Sequence, residues 1–163
     1  MRVRPAIAAD GRAIAEVRIL SWRATYGPYL PEDVWQDVDI DAHTSRFERG
    51  LEDATITALV AEVDGCVRAF AIYGPCRDTD LPGAGEVMAI YAHPEYFSTG
   101  LGRALLPAAI EALGARPVVL WVLENNARAR RFYEIAGFRP DGGRKPAQLL
   151  GGVELPEIRY RLD

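Results

Sequence analysis

Residues 97–104 have the sequence Phe97-Ser98-Thr99-Gly100-Leu101-Gly102-Arg103-Ala104; they follow a predicted strand over 86–92 and open a predicted helix over 100–113. Glycines here let the backbone approach a ligand closely, and the first amides of a helix have no partner within it. Together with the positive end of the helix dipole and the charge of Arg103, they predict a binding site for an anion such as a phosphate. The alternative is a glycine-rich helix start with no ligand.

This stretch differs from two well-known phosphate-binding motifs. No Gly-Lys-Ser or Gly-Lys-Thr follows it, so it is not a P-loop. Leu105 stands where the dinucleotide-binding fingerprint has its third glycine, so a Rossmann site is not indicated either.

A second informative stretch covers residues 120–138, where an apolar strand ends and a helix begins. Asn126 and Tyr133 are two helical turns apart, so they project from one face of this helix at a separation of about 10 Å. Ala129 lies between them, and its small side chain leaves space on that face of the helix. This arrangement suits an extended polar ligand, but Asn126 could equally be a helix N-cap and Tyr133 a core aromatic residue.

The remaining pattern predicts one α/β domain over residues 1–163, with at least one parallel strand pair and helices packed on the sheet. Asp64-Gly65 is typical of a hairpin turn, Asp10 is expected to cap the first helix, and Pro107 is expected to kink the third. The predicted strands are 1–6, 55–63, 66–73, 86–92, 117–122, 138–141 and 153–162, and the helices are 10–26, 31–51 with an interruption near 39–41, 100–113 and 126–136.

Composition excludes several function classes. The 163 residues carry a formal net charge of −4 and have a pI near 5.3, which argues against nucleic acid as a partner. No apolar signal segment or membrane span is visible, so we expect no membrane association and a cytoplasmic location. Cys66 and Cys76 lack the spacing of a zinc site, and a strand of about 33 Å between them excludes a disulfide; no metal is expected.

The two stretches together resemble the GNAT superfamily of N-acetyltransferases. Gly100-Leu101-Gly102 after a strand matches its pyrophosphate motif, and Asn126-x-x-Ala129-x-x-Phe132-Tyr133-x-x-x-Gly137-Phe138 matches its second motif. The segment from Leu20 to Tyr26, followed by Leu30-Pro31, is similar to one bacterial branch. The resemblance covers nearly the whole chain.

The resemblance implies a mixed sheet of about seven strands, splayed at the cofactor strand, with about four flanking helices. It implies that acetyl-CoA is the cofactor, that the acceptor is an amine of a small molecule or peptide, and that the protein is a monomer or homodimer. The backbone of the cofactor strand would pair with the pantetheine arm, and residues 98–103 would hold the pyrophosphate. The implied cofactor-binding residues are Ile90, Tyr91, Ala92, Phe97, Ser98, Thr99, Gly100, Leu101, Gly102, Arg103, Ala104, Asn126 and Phe132.

The family's chemistry assigns catalytic roles to a few residues. Tyr133 would protonate the departing thiolate, and a backbone amide near Tyr91 or Ala92 would polarise the thioester carbonyl. Glu86, at the start of the central strand, matches the glutamate base of several members, although an exposed glutamate here could simply be solvated. Transfer is expected to be direct; a covalent route through Cys66 or Cys76 is the alternative.

One position departs from the family pattern. Phe97 stands where the family usually has arginine or glutamine, three residues before the first motif glycine. The expected consequence is that cofactor binding depends more on backbone amides and on Arg103.

The acceptor is poorly specified by the sequence. Trp22 and Tyr26 are one helical turn apart and are candidate acceptor contacts, or core residues. Carboxylates could form an acidic entrance for a cationic amine, or a solvated surface: Glu32, Asp33, Asp37, Asp39, Asp41, Glu48, Glu52, Asp53, Asp78 and Asp80. Three functions stay open: a small-molecule amine acetyltransferase, a protein N-terminal or lysine acetyltransferase, and a non-catalytic acyl-CoA-binding module.

Overall fold

The computed structural model describes residues 1–114 and 116–163. Within them the chain forms seven strands in one sheet and four α-helices, together with short 3₁₀ turns. The strands are β1 (Arg2–Pro5), β2 (Ala58–Val63), β3 (Cys66–Pro75), β4 (Gly85–Ala92), β5 (Val118–Leu123), β6 (Arg139–Gln148) and β7 (Glu154–Leu162), and the helices are α1 (Gly11–Tyr26), α2 (Ile40–Glu52), α3 (Leu101–Leu113) and α4 (Ala127–Ile135).

The sheet has one parallel strand pair, and that pair separates early. The strand order is β1-β2-β3-β4-β5-β7-β6, and every neighbouring pair except β4–β5 is antiparallel. Strands β4 and β5 pair only at Gly85–Val118 and Glu86–Val119. Beyond Glu86 the edge of β4 that faces β5 has no strand partner there, which leaves its polar backbone groups available to a ligand. The predicted splayed, mixed sheet is confirmed.

Helices cover both faces of the sheet because the strand side chains alternate between them. Leu59, Ala61, Ala69 and Ala71 pack with α3, α4 and the β5 side of the core. Their sequence neighbours, such as Val60 and Phe70, pack instead against α1 and α2. The site described below lies where both layers meet the gap between β4 and β5.

Two local expectations are wrong, each for a visible reason. Asp10 precedes α1 but does not cap it, because its carboxylate accepts hydrogen bonds from the Arg4 guanidinium at 2.7 and 2.8 Å and from the Ile7 amide at 2.8 Å. The strand predicted to end at Asp141 continues to Gln148. A bulge with Gly142 at a φ of 92° interrupts its pairing with β7, which resumes at Arg144.

The helical region predicted over 31–51 with an interruption near 39–41 forms a 3₁₀ turn at Glu32–Trp35 and then α2, which begins only at Ile40. The other boundaries lie within about three residues of the predicted ones. The Asp64-Gly65 turn is present, with φ values of 52° and 76° that suit a tight hairpin. Helix α3 continues through Pro107 to Leu113. No helix in the described part of the chain is long and apolar enough to cross a membrane.

Candidate active site

A cavity of about 1000 Å³ occupies the gap between β4 and β5. One end, the donor end, is formed by the start of α3, the Phe97–Ser98 segment and the start of α4. The other end, the acceptor end, is formed by α1, the residues that follow it, β5, β7 and the β6–β7 connection. A cavity of this size can hold a cofactor-sized ligand and a second small molecule.

The donor end has the backbone geometry of an anion site. Gly100 adopts a φ of 102°, a conformation that glycine reaches without strain, and this turns the chain into α3. The first amides of α3 have no carbonyl within the helix to bond to, so they and the helix dipole are available to an anion. Gly102 has a second role, because a Cβ there would lie 3.1 Å from the Phe132 ring of α4.

Thr99 and Ala104 are exceptions among the predicted cofactor-binding residues, because neither lines the cavity. The Thr99 amide and hydroxyl both donate to the carbonyl of Tyr96, at 3.3 and 2.7 Å. The Ala104 amide donates to the carbonyl of Gly100 at 3.1 Å. The other predicted members do line it: Ile90, Tyr91, Ala92, Phe97, Ser98, Gly100, Leu101, Gly102, Arg103, Asn126 and Phe132.

Three arginines, Arg103, Arg128 and Arg131, line the donor end of this otherwise acidic protein. The Arg128 guanidinium lies over the ring of Phe97, 3.8 Å from its centroid. Sequence reasoning treated Phe97 as a lost polar contact and did not consider Arg128, although it stands two residues after Asn126 in the second motif.

Asn126 and Tyr133 both line the cavity from α4, as their spacing predicts. The Asn126 Oδ1 accepts from the Ala129 amide at 3.1 Å, so the side chain caps α4 and still has its Nδ2 donors. The Tyr133 ring packs against Phe132, Phe138 and Tyr160, with centroid distances of 5.2, 6.2 and 6.4 Å. Asn126 and Tyr133 therefore each have a structural role, as a helix cap and a packed aromatic residue, and each also faces the cavity.

The Tyr133 hydroxyl is suited to stay protonated. Its side chain is 8% exposed, and burial, reinforced by the nearby Tyr91, raises the pKa of the phenol well above its usual value. Among the described residues none forms a hydrogen bond with this hydroxyl. A neutral phenol facing a cavity can donate a proton to a strong base that forms there.

Trp22 and Tyr26 line the acceptor side of the cavity, next to Tyr91. The Tyr26 and Tyr91 hydroxyl oxygens are 3.5 Å apart, and the Trp22 ring meets Tyr91 edge-on at 6.4 Å between centroids. Burial raises the pKa of Tyr26 strongly, with Tyr91, Tyr133 and Glu157 adding to the shift. Tyr26 is thus within electrostatic range of both the predicted acid and a carboxylate at the acceptor end.

Glu86 lines the cavity but is neither exposed nor free. It is 1% exposed, and both carboxylate oxygens are held by Arg77: Nη2 donates to Oε1 at 2.6 Å, and Nε donates to Oε2 at 3.0 Å. The Arg77 backbone amide also donates to Oε2 at 3.0 Å. Both oxygens of this carboxylate are therefore occupied by donors of Arg77.

Glu157 on β7 is a second carboxylate at the cavity wall, which the sequence analysis missed. Burial raises the pKa of its carboxyl, and the Lys145 ammonium, 3.8 Å away, opposes that rise. Lys145 also lies 3.9 Å from the centroid of Trp121, which lines the same wall. Strand β7 also carries Glu154, Arg159 and Arg161, so the sequence pattern does not single out Glu157.

Within the described residues, the carboxylates of the possible acidic entrance do not line the cavity. Asp78 and Asp80 do not line the cavity; both bind Arg159, Asp78 at 3.1 Å and Asp80 at 2.8 and 2.9 Å. Asp78 also accepts from the Trp121 indole at 3.0 Å, so it positions a wall residue instead of facing an acceptor. The carboxylates of residues 31–54 do not line the cavity either. Some of them have structural partners: Asp39 caps α2, and Asp41 binds Arg12 of α1 at 2.7 Å.

The two cysteines lie away from the cavity lining. Both are free thiols, Cys66 is exposed, and burial raises the pKa of the Cys76 thiol, which lowers its nucleophilicity at neutral pH. In the described residues no three His, Cys, Asp or Glu side chains are grouped as a metal site.

Comparison with known proteins relates this geometry to a family. The model of the acetyltransferase (GNAT) family matches residues 14–138. The chain is 31% identical to YuaI of Bacillus subtilis, named an uncharacterized N-acetyltransferase, over 96% of this chain and 89% of the relative. It is 30% identical to the L-amino acid N-acyltransferase MnaT of Escherichia coli, over 85% of this chain and 79% of the relative. A structure of yncA from Salmonella typhimurium with its cofactor acetyl-CoA superposes with a TM-score of 0.72 at 26% identity, covering 99% and 92% of the two chains.

Proposed function

The chain belongs to the acetyltransferase (GNAT) family, and we propose that it transfers the acetyl group of acetyl-CoA directly to the amine of a small acceptor that also carries a carboxylate. One observation carries this proposal. A single cavity joins an anion-binding helix start to a wall that presents both carboxylates and cations. The first end suits the donor, and the second suits a zwitterionic acceptor.

The donor end fits coenzyme A by the chemistry of its groups. Coenzyme A carries a pyrophosphate and a further phosphate, and the donor end offers the free amides at the start of α3 with three arginines around them. The unpaired edge of β4 over Ile90, Tyr91 and Ala92 offers backbone donors and acceptors to an amide-containing arm. When bound, acetyl-CoA supplies an acetyl group activated as a thioester.

Groups of this chain would then assist the transfer. A β4 backbone amide near Tyr91 or Ala92 would stabilise charge on the carbonyl oxygen, since its edge has no strand partner. Tyr133 would donate its proton to the sulfur as it leaves. Its raised pKa keeps that proton in place at neutral pH, and the packed ring fixes the hydroxyl's position.

The acceptor amine must lose a proton before or during attack, and Glu157 is the carboxylate that the geometry favours as its base. Its raised pKa makes it a better proton acceptor near neutral pH than an ordinary glutamate, and Lys145 contacts it only at 3.8 Å. Glu86 is the second candidate. Because Arg77 holds both of its oxygens, Glu86 would act as a base only if Arg77 moves or a water relays the proton.

The acceptor's carboxylate would be bound by the cations of the same wall. Arg77 uses Nε and Nη2 for Glu86 and has its third nitrogen, Nη1, for a ligand, while Lys145 is only loosely paired, at 3.8 and 3.9 Å. Trp121, Leu149 and Leu150 supply apolar surface for the rest of the acceptor. The name of the relative MnaT, an L-amino acid N-acyltransferase, supports an amino acid as the acceptor.

A free-thiol assay tests the proposal with chemically matched acceptors. An α-amino acid, the corresponding amine without the carboxylate, and a peptide that begins with the same residue are each incubated with acetyl-CoA. We expect thiol release to be fastest with the free amino acid. Faster release with the peptide would favour a protein acetyltransferase, and binding of acetyl-CoA without release for any amine would favour a non-catalytic module.

A further inference from the structure

The three arginines of the donor end, Arg103, Arg128 and Arg131, form no ion pair among the described residues. Arg128 is the second residue of α4 and is exposed overall, although partial desolvation of its guanidinium lowers the pKa of that group. Two arginines elsewhere in the chain do bind carboxylates: Arg4 binds Asp10 and Glu62, and Arg159 binds Asp78, Asp80 and Asp141. Arg128 forms no ion pair within residues 1–114 and 116–163.

The position of Arg128 is also unfavourable by itself. The first turn of a helix carries the positive end of its dipole, where a cation is disfavoured and an anion is preferred. The side chain is nevertheless held in one place, because its guanidinium stacks on the Phe97 ring at 3.8 Å from the centroid. Stacking fixes the guanidinium plane while leaving its N–H donors directed outward at its edge.

Both partners of this stack line the donor end, together with Ser98, Arg103 and the start of α3. A cation that is held over an aromatic ring, forms no ion pair among the described residues and borders the same cavity as the start of α3 is suited to bind an anion there. We propose that Arg128, held on Phe97, binds a phosphate group of the acyl-CoA donor, so that Phe97 acts as its platform. This inference rests on the proposed use of acetyl-CoA.

The consequence for position 97 is specific. The aromatic residue there does not reduce phosphate binding; the cation is supplied from α4 instead, across the donor end. An arginine placed at 97 should then be able to replace Arg128, since both positions border the same space.

The test measures dissociation constants of coenzyme A by calorimetry, without turnover. Arg128→Ala should weaken binding by about 10- to 100-fold, the range of a lost charge-assisted hydrogen bond. It should also make affinity less dependent on salt. Arg128→Lys keeps the charge but loses the planar stack, and should recover only part of the affinity. Arg49→Ala removes one exposed cation of α2 outside the cavity and should leave affinity unchanged.

Two further measurements separate ligand binding from a structural role. The ligand-free melting temperature of Arg128→Ala should equal or exceed that of the unmodified protein, because a cation is removed from a helix N-terminus. Adding Phe97→Arg to Arg128→Ala should restore most of the lost affinity. If the single variant does not fold, Arg128→Gln is used in its place.

A comparison with 3′-dephospho-coenzyme A identifies which phosphate is bound. If Arg128→Ala weakens binding of coenzyme A alone, the contact is with the 3′-phosphate; if it weakens both ligands equally, the contact is with the pyrophosphate. Unchanged affinity for coenzyme A in Arg128→Ala would overturn this inference and leave the proposed function intact. Absence of coenzyme A binding by the unmodified protein would instead overturn the proposed function.

Discussion

Replacing Tyr133 by phenylalanine removes one hydroxyl from the cavity wall and keeps the ring. The ring is held by Phe132, Phe138 and Tyr160 at centroid distances of 5.2 to 6.4 Å, and the same contacts are open to phenylalanine. Because the hydroxyl has no hydrogen-bond partner among the described residues, its loss should change the free energy of unfolding by less than about 1 kcal/mol. The folded variant therefore isolates the chemistry.

The chemical step should slow by about 10²- to 10⁴-fold, the usual contribution of a positioned general acid, or about 3 to 5.5 kcal/mol in activation free energy. The loss should appear in kcat, with little change in affinity for acetyl-CoA, since the contact strengthens only as charge develops on sulfur. Turnover is measured by thiol release, and affinity is measured separately by calorimetry.

Tyr160→Phe is the matched control from the same aromatic cluster. The Tyr160 hydroxyl donates to Glu134 at 2.8 Å and accepts from Arg130 at 3.1 Å, and it does not line the cavity. This variant should lose about 1 to 3 kcal/mol of stability and retain its kcat. Full kcat in Tyr133→Phe would refute the assignment of Tyr133 as the acid.

Further substitutions test separate parts of the site. Glu157→Gln should lower kcat about 100-fold and remove the acidic limb of the pH–rate profile. In the unmodified protein that limb should lie above the usual glutamate range, because the deprotonated form is the active one and burial raises the pKa of Glu157. The charges around Glu157 are those of Lys145, Arg77, Glu86 and Asp78. If Glu86→Gln removes the limb and Glu157→Gln does not, Glu86 is the base. Gly100→Val should cost about 1 to 2 kcal/mol of stability and weaken coenzyme A binding, since the φ of Gly100 is 102°. Gly27→Ala should do neither, because no atom lies within 4 Å of the added Cβ. Unchanged coenzyme A affinity in the Gly100→Val variant would place the phosphates elsewhere. Changing Cys66 and Cys76 together to alanine should preserve turnover, and an inactive but folded double variant would favour a covalent route.

The sequence predicts the elements of this fold well because each has a local signal. Asp64-Gly65 indicates the hairpin turn. Gly100 before α3 and Asn126 before α4 indicate the two helix starts that form the donor end. Strand β6 extends beyond its predicted end because its pairing with β7 resumes after the bulge at Gly142, and such a long-range pairing leaves little pattern in the strand itself. Asp10 has the composition of a cap, but Arg4 from β1 binds its carboxylate.

The acceptor end could not be predicted in the same way. Its charges come from segments distant in the chain: Arg77 after β3, Lys145 on β6 and Glu157 on β7. Local acidic composition pointed instead to Asp78 and Asp80, which Arg159 binds away from the cavity lining. A high density of acidic residues in the sequence thus does not predict an acidic binding site when a buried arginine binds those carboxylates.

Direct transfer of the acetyl group to the amine can be measured on the acetyl carbonyl carbon itself. Acetyl-CoA labelled with ¹³C at the carbonyl is mixed with the protein and an α-amino acid, and the carbonyl resonance is recorded over time while the intact protein is weighed by mass spectrometry. Direct transfer predicts that the thioester signal decreases and an amide signal on the amino acid rises at the same rate. Both changes should occur only when protein and amine are both present, with no acetyl group on the protein. A thioester signal that persists while the protein binds acetyl-CoA, or a label that accumulates on a cysteine, would contradict it.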